Sequence, residues 1–127
     1  MTLILQDKWQ KQLPPVDYDH YKALYHAYLN NQLSYLEDID LFASTGKLIP
    51  LRQAKNHAGH RLIICFYQYT GVEASVPTFT ASLKSTESVV VTIPTLTLAP
   101  GETTLWTIIF TAPMTAFTEG WLVSIDT

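Results

Sequence analysis

The stretch that most constrains the fold is His60–Tyr69, read as H-R-L-I-I-C-F-Y-Q-Y. In an extended chain successive side chains point to opposite faces. Leu62, Ile64 and Phe66 therefore share one face, and Ile63, Cys65 and Tyr67 share the other. Both faces are apolar, which marks a central strand covered on both sides. One cover is a second sheet; the candidate for the other is a tyrosine-rich helix near the start of the chain.

That helix follows Pro14-Pro15, which cannot continue a preceding helix. Tyr18, Tyr21, Tyr25 and Tyr28 recur at helical spacing with Leu24 among them. Asp17 reads as the N-cap and Asn30-Asn31 as the C-cap, so the helix is expected over 17–31, after an extended lead-in over 1–16. Docking of the stripe on the chain's own core is the leading expectation, and a partner surface the second.

After residue 39 the pattern is of period two, broken by turn residues. Ile39–Ala43 and Lys47–Arg52 flank the turn Ser44-Thr45-Gly46, and Pro50 suggests an edge strand. Lys55–Gly59 reads as a polar loop. Pro77–Lys84 turns Phe79, Ala81 and Leu83 inward and Thr78, Thr80 and Ser82 outward. Val89–Leu98 is a long strand that Pro94 interrupts. Leu96–Pro113 reads as strand, Pro100-Gly101 turn, strand, with Trp106, Ile108 and Phe110 on the core face and Leu105, Thr107 and Ile109 on the other. Gly120 releases a closing strand, Trp121–Ile125. The expectation is mainly β: one domain over 1–127, an Ig-like antiparallel β-sandwich of about seven strands over 39–126, with the N-terminal α-helix packed against it.

Charged residues are only 15% of the chain and the net charge is −3. No global field favours nucleic acid or an anionic membrane. No stretch approaches the roughly 20 apolar residues of a membrane-spanning helix. The N-terminus lacks the basic region and long apolar run of a signal peptide, so as the chain stands the expectation is cytoplasmic, without membrane insertion, with the cell surface the alternative if a leader has been removed. A single cysteine, Cys65, rules out an intrachain disulfide.

Candidate chemistry is sparse. His20 and His26 lie on different sides of the helix, and His57 and His60 have no second pair to complete a zinc site. Glu37, Asp38 and Asp40 lack the glycine and ligand count of a calcium loop. Cys65 sits in the most apolar strand without an activating histidine and reads as core. No nucleophile elbow or phosphate loop occurs. The expectation is no enzyme, no cofactor and no metal. Lys47, Arg52, Lys55 and Arg61 form a segment without an acid, a candidate contact for an anionic ligand such as a polyanion. The plainer reading is edge protection.

Trp9, Leu13-Pro14, the Tyr18–Tyr28 helix and Asn31-Gln32-Leu33-Ser34-Tyr35-Leu36, together with Leu96, Leu98, Pro100, Trp106 and Phe110, resemble the pattern of the SLAP domain. This is a small module of Firmicutes bacteria linked to accessory Sec and S-layer assembly. The resemblance spans about residues 6–113 and implies a non-enzymatic module. In place of the family's Ile-Arg-Asn-like segment this chain has Tyr67-Gln68-Tyr69.

The functional expectation is an accessory or assembly module in secretion or at the cell surface. It would present a sheet edge or the tyrosine helix to a protein partner or to a second copy. Trp9, Tyr18, Tyr25 and Tyr35 are the candidate contacts, because Tyr and Trp dominate interface hot spots. The alternative is a ligand-binding sandwich that recognises carbohydrate or cell-wall polymer through Trp121, or Trp106, and the basic segment.

Overall fold

The computed structural model describes residues 3–4, 14–36, 41–55, 58–83, 87–93, 96–110 and 120–125. Its elements, in chain order, are β1 (Leu3–Ile4), α1 (Pro15–Leu29), β2 (Leu33–Tyr35), β3 (Leu41–Ala43), β4 (Lys47–Lys55), β5 (Arg61–Gln68), β6 (Thr78–Leu83), β7 (Glu87–Thr92), β8 (Thr103–Phe110), β9 (Gly120–Trp121) and β10 (Val123–Ile125). The fold is mainly β, with one helix among the described residues and antiparallel sheets stacked as a sandwich.

The doubly apolar segment takes the middle position its composition demands. β5 is the central strand of a five-stranded sheet ordered β1-β8-β5-β4-β9. Ile63, Cys65 and Tyr67 face a three-stranded sheet, β3-β6-β7, and are fully buried against Phe79, Ala81 and Leu83 of β6. Tyr67 stacks on Phe79 with ring centroids 4.3 Å apart and planes 6° from parallel. On the opposite face Phe66 is buried with Leu105, Ile49 and Leu51 beneath Tyr21, Leu24 and Tyr25 of α1. Each fully buried side chain of this size contributes about 1.5–3 kcal/mol from removal of apolar surface from water.

α1 starts earlier than Asp17. Pro14 is the N-cap, Pro15 occupies the first turn, and no side chain caps the helix. Pro fits there because its missing N–H is one of the donors that have no partner in a first turn. Asp17 lies inside that first turn, favourably placed for the helix dipole. The C-terminal end follows the Asn30-Asn31 signal. Asn31 adopts φ 56°, Gln32 N–H donates to Ala27 O at 2.8 Å and Asn31 N–H to Tyr28 O at 3.2 Å. These two bonds satisfy carbonyls that the helix leaves free, in the Schellman arrangement.

Two turns read as hairpins do not join strands that pair with each other. β3 pairs with β6, whereas β4 pairs with β5, so Ser44-Thr45-Gly46 carries the chain from one sheet to the other. Pro100-Gly101 does make the expected type II turn: Glu102 N–H donates to Ala99 O at 3.0 Å, and Gly101 has φ +87°. Leu98, however, bridges Ser75 rather than β8, and β8 pairs with β5 along its full length. Turn chemistry specifies the local backbone and leaves the pairing partner open.

Four further differences concern short strands. Pro50 does not mark an edge strand, since β4 has β5 on one side and β9 on the other at Arg52 and Gln53. β4 also continues to Lys55, into the expected loop. Within the lead-in, Leu3–Ile4 pairs with Thr103–Thr104 in parallel, an exception to the antiparallel expectation. The closing strand is broken at Leu122: β9 joins β4, while β10 joins β2 in a separate ribbon. Leu122 is the stitch between them, its N–H donating to Leu51 O at 2.7 Å and its carbonyl accepting from Leu36 N–H at 2.8 Å. The ribbon contributes Val123 and Leu33 to the apolar cluster under α1.

β6 has the burial alternation expected of Thr78–Leu83. Trp9, Leu13, Glu37, Asp38, Ile39, Asp40, His57, Lys84, Pro94 and Pro113 lie outside the described residues.

Candidate functional site

The tyrosine candidates separate once the helix is docked. Tyr25 is 4% exposed and packs edge-on to Phe66, with ring centroids 5.7 Å apart, so it is core and not a contact surface. Tyr18 and Tyr35 are exposed. Trp9 lies outside the described residues. Tyr28 is half-buried, and its hydroxyl donates to Gln68 Oε1 at 3.3 Å.

The basic segment is not one cluster. In the β4–β5 ladder Lys55 lies opposite Arg61, whereas Lys47 lies opposite Gln68. Residues directly opposite share a face of the sheet, and Ile49 opposite Phe66 identifies the helix-covered face. Strict alternation from Ile49 would turn Arg52 away from the helix. A bulge prevents this. The register steps from Pro50–Cys65 to Arg52–Ile64, leaving Leu51 as an extra residue. One extra residue changes the parity of the strand. Arg52 thereby joins Lys47 on the helix-covered face, while Lys55 and Arg61 fall on the other.

On that face Arg52 meets aromatic side chains from two other elements. β9 places Trp121 directly opposite Arg52, whose guanidinium carbon lies 5.6 Å from the indole centroid. α1 brings His20, with its ring 4.5 Å from the indole and edge-on, and Tyr21 at 5.8 Å. Burial raises the Tyr21 phenol above its ordinary value; the charge of Arg52 works against that rise and the charge of Asp17 adds to it. Arg52 Nε is buried without a hydrogen-bond partner. Lys47, further along, lies 5.6 Å from the ring centroid of Tyr28.

A second surface is the open side of the sandwich. β7 ends the three-stranded sheet, and β8 is flanked on its outer side by the two residues of β1. Between them runs an open groove of about 250 Å³, lined by Val89–Thr92 and Trp106–Ile109. Ile108 and Phe110 are buried as the alternation implies, and Trp106 is half-buried at the groove wall. Val90 and Ile109 are exposed large apolar residues at its margins. Ile109 was expected on the face opposite Ile108 and Phe110, and it is exposed there.

Among the described residues no group of three or more His, Cys, Asp or Glu side chains gathers to hold a metal ion. Cys65 is fully buried, its thiol pushed far above the ordinary value by loss of hydration, and Sγ lies 3.5 Å from Trp106 O. No helix among the described residues is long and apolar enough to cross a membrane.

The class defined by this architecture is a β-sandwich with a helix and a two-stranded ribbon over one outer face. Comparison of the chain with protein-family models, with curated proteins and with solved structures finds no match.

Proposed function

We propose that this chain is a non-enzymatic accessory or assembly module acting through protein contacts, with the open side between β7 and β8 as its contact surface. The observation that carries the reading is an apolar edge with no Lys or Pro among its described lining residues: each of these is Val, Thr, Trp or Ile. Sheet edges that stay solitary usually carry Lys, Pro or a bulge, because free N–H and C=O groups otherwise recruit another strand. β8 already holds the extended β1 at Thr103 and Thr104, and Leu105–Phe110 continues the same edge. The partner is a second copy of the chain, paired edge to edge in a self-complementary contact. The SLAP resemblance supplies the setting for this reading, secretion or cell-surface assembly.

Sedimentation velocity across a concentration series tests it. The wild type is expected to dimerise, and Ile109→Lys with Val90→Lys to remain monomeric at an unchanged melting temperature, since both side chains are largely exposed. A wild type that is monomeric throughout, or a double variant that dimerises equally well, overturns the reading.

A further inference from the structure

Arg52 combines features that a purely structural cation does not need. Its guanidinium is held by Trp121 on one side, yet Nε is buried with no acceptor. No described carboxylate forms an ion pair with it. A cation–π contact with an indole contributes about 0.5–2 kcal/mol but gives Nε no acceptor, and the hydrogen bond of Arg52 to the Tyr21 phenol leaves Nε still unpaired. A buried donor without an acceptor is costly, most of all on a charged group. The missing complement is an acceptor in the guanidinium plane. A carboxylate or phosphate oxygen fits the planar fork of donors better than any neutral group.

The surroundings suit such a ligand. Trp121 is 37% exposed and His20 is exposed, so an aromatic rim borders the guanidinium where solvent reaches it. Three separate elements converge there: the bulged part of β4, the short strand β9 and the first turns of α1. The bulge at Leu51 is what delivers Arg52 to them.

We infer that Arg52, Trp121 and His20 form a binding site for an oxyanion, a carboxylate or phosphate group, carried on a ligand whose ring packs against the exposed indole. Arg52 takes the oxyanion through its guanidinium, Trp121 supports both the guanidinium and the ligand ring, and His20 closes one side. The site is independent of the β7–β8 edge.

The Nε–Hε cross-peak of Arg52 in a nitrogen-15 spectrum reports on the orphan donor itself. It is followed in separate titrations with inorganic phosphate, glucuronate, glucose, and sodium chloride at matched ionic strength. Saturable shifts with phosphate and glucuronate support the site, and a response to one of the two identifies the oxyanion it takes. Glucuronate is further expected to quench the Trp121 fluorescence, a change absent in Trp121→Phe. Arg52→Lys, which keeps the charge and loses the fork, should bind about tenfold more weakly, the loss of one charge-assisted hydrogen bond. Should that variant fail to fold, the wild-type cross-peak decides alone. No shift with either oxyanion, an equal shift with chloride, or glucose acting as well as glucuronate overturns the inference.

Discussion

Replacing Tyr25 by Phe is expected to stabilise the protein, although it removes a polar group from a well-packed site. The Tyr25 ring is buried on Phe66 at 5.7 Å and 74°, an edge-to-face geometry that Phe reproduces. Its hydroxyl is buried beside Oγ1 of Thr103; burial raises the phenol's pKa and a weak interaction with Thr103 lowers it, yet neither oxygen has a partner at full hydrogen-bond geometry. Leaving a buried hydroxyl unpaired costs about 1–3 kcal/mol, and the substitution recovers most of that. For a chain of this size a gain of about 1 kcal/mol corresponds to a rise of roughly 3–5 °C in melting temperature. Tyr25→Ala should instead cost about 3–5 kcal/mol, because the ring's volume is lost from the core. Urea and thermal unfolding of wild type, Tyr25→Phe, Thr103→Val and the double variant form a complete cycle. If the two hydroxyls bond each other in solution, Tyr25→Phe will destabilise by about 1 kcal/mol and the cycle will show coupling. That result would refute the account of an orphan pair. A harmless Tyr25→Ala would refute the stronger claim that this tyrosine is core.

Gly46→Ala should destabilise by about 2 kcal/mol or more: φ there is +83°, and a Cβ would lie 2.5 Å from the Tyr67 ring and 2.6 Å from Gln68 O. Equilibrium unfolding in urea measures this, and a loss below about 0.5 kcal/mol would show that the crossing turn relaxes freely. Cys65 should resist iodoacetamide at mildly alkaline pH in the folded protein and react promptly once denatured. Burial raises the acids Cys65, Tyr21 and Tyr67 above their ordinary 9.0 and 10.0, so folding favours their protonated forms. Their stabilising contribution is complete below pH 9 and drains away as pH rises past 9 and 10, where the unfolded chain ionises first. Melting temperatures that stay level from pH 8 to about 11 would contradict these shifts.

Which parts of the fold were legible depended on how far apart the interacting residues lie. The two-faced apolarity of Ile63–Tyr67 and the alternation of Phe79, Ala81 and Leu83 each report burial residue by residue, so β5 and β6 could be placed in the core. The helix end was readable because Asn31 and Gln32 bond to carbonyls within the same turn. Pairings between distant segments left no comparable mark. Nothing in Leu33–Tyr35 points to Val123–Ile125, nor anything in Leu3–Ile4 to Thr103–Thr104. The candidate site was half visible. Arg52 and Trp121 were both singled out, yet their meeting depends on one bulged residue and on a two-residue strand, which a pattern of period two cannot register. Tyr18 and Tyr25 belong to one helical stripe, but only docking decides that one is core and the other rim.

Leu122 has a consequence for the order of assembly. Its N–H reaches back to Leu51 and its carbonyl to Leu36, so the layer over the outer face is fastened by a residue made long after the helix. During synthesis α1 emerges early, with its tyrosines ready to dock, but Val123 and the partner strand of β2 do not yet exist. Loop closure over so long a separation is slow. The inner sandwich can therefore form first, with the helix held against it loosely, and the later arrival of Leu122 and β10 clamps helix, ribbon and sheet into one body. Leu122 behaves as a latch on elements made long before it.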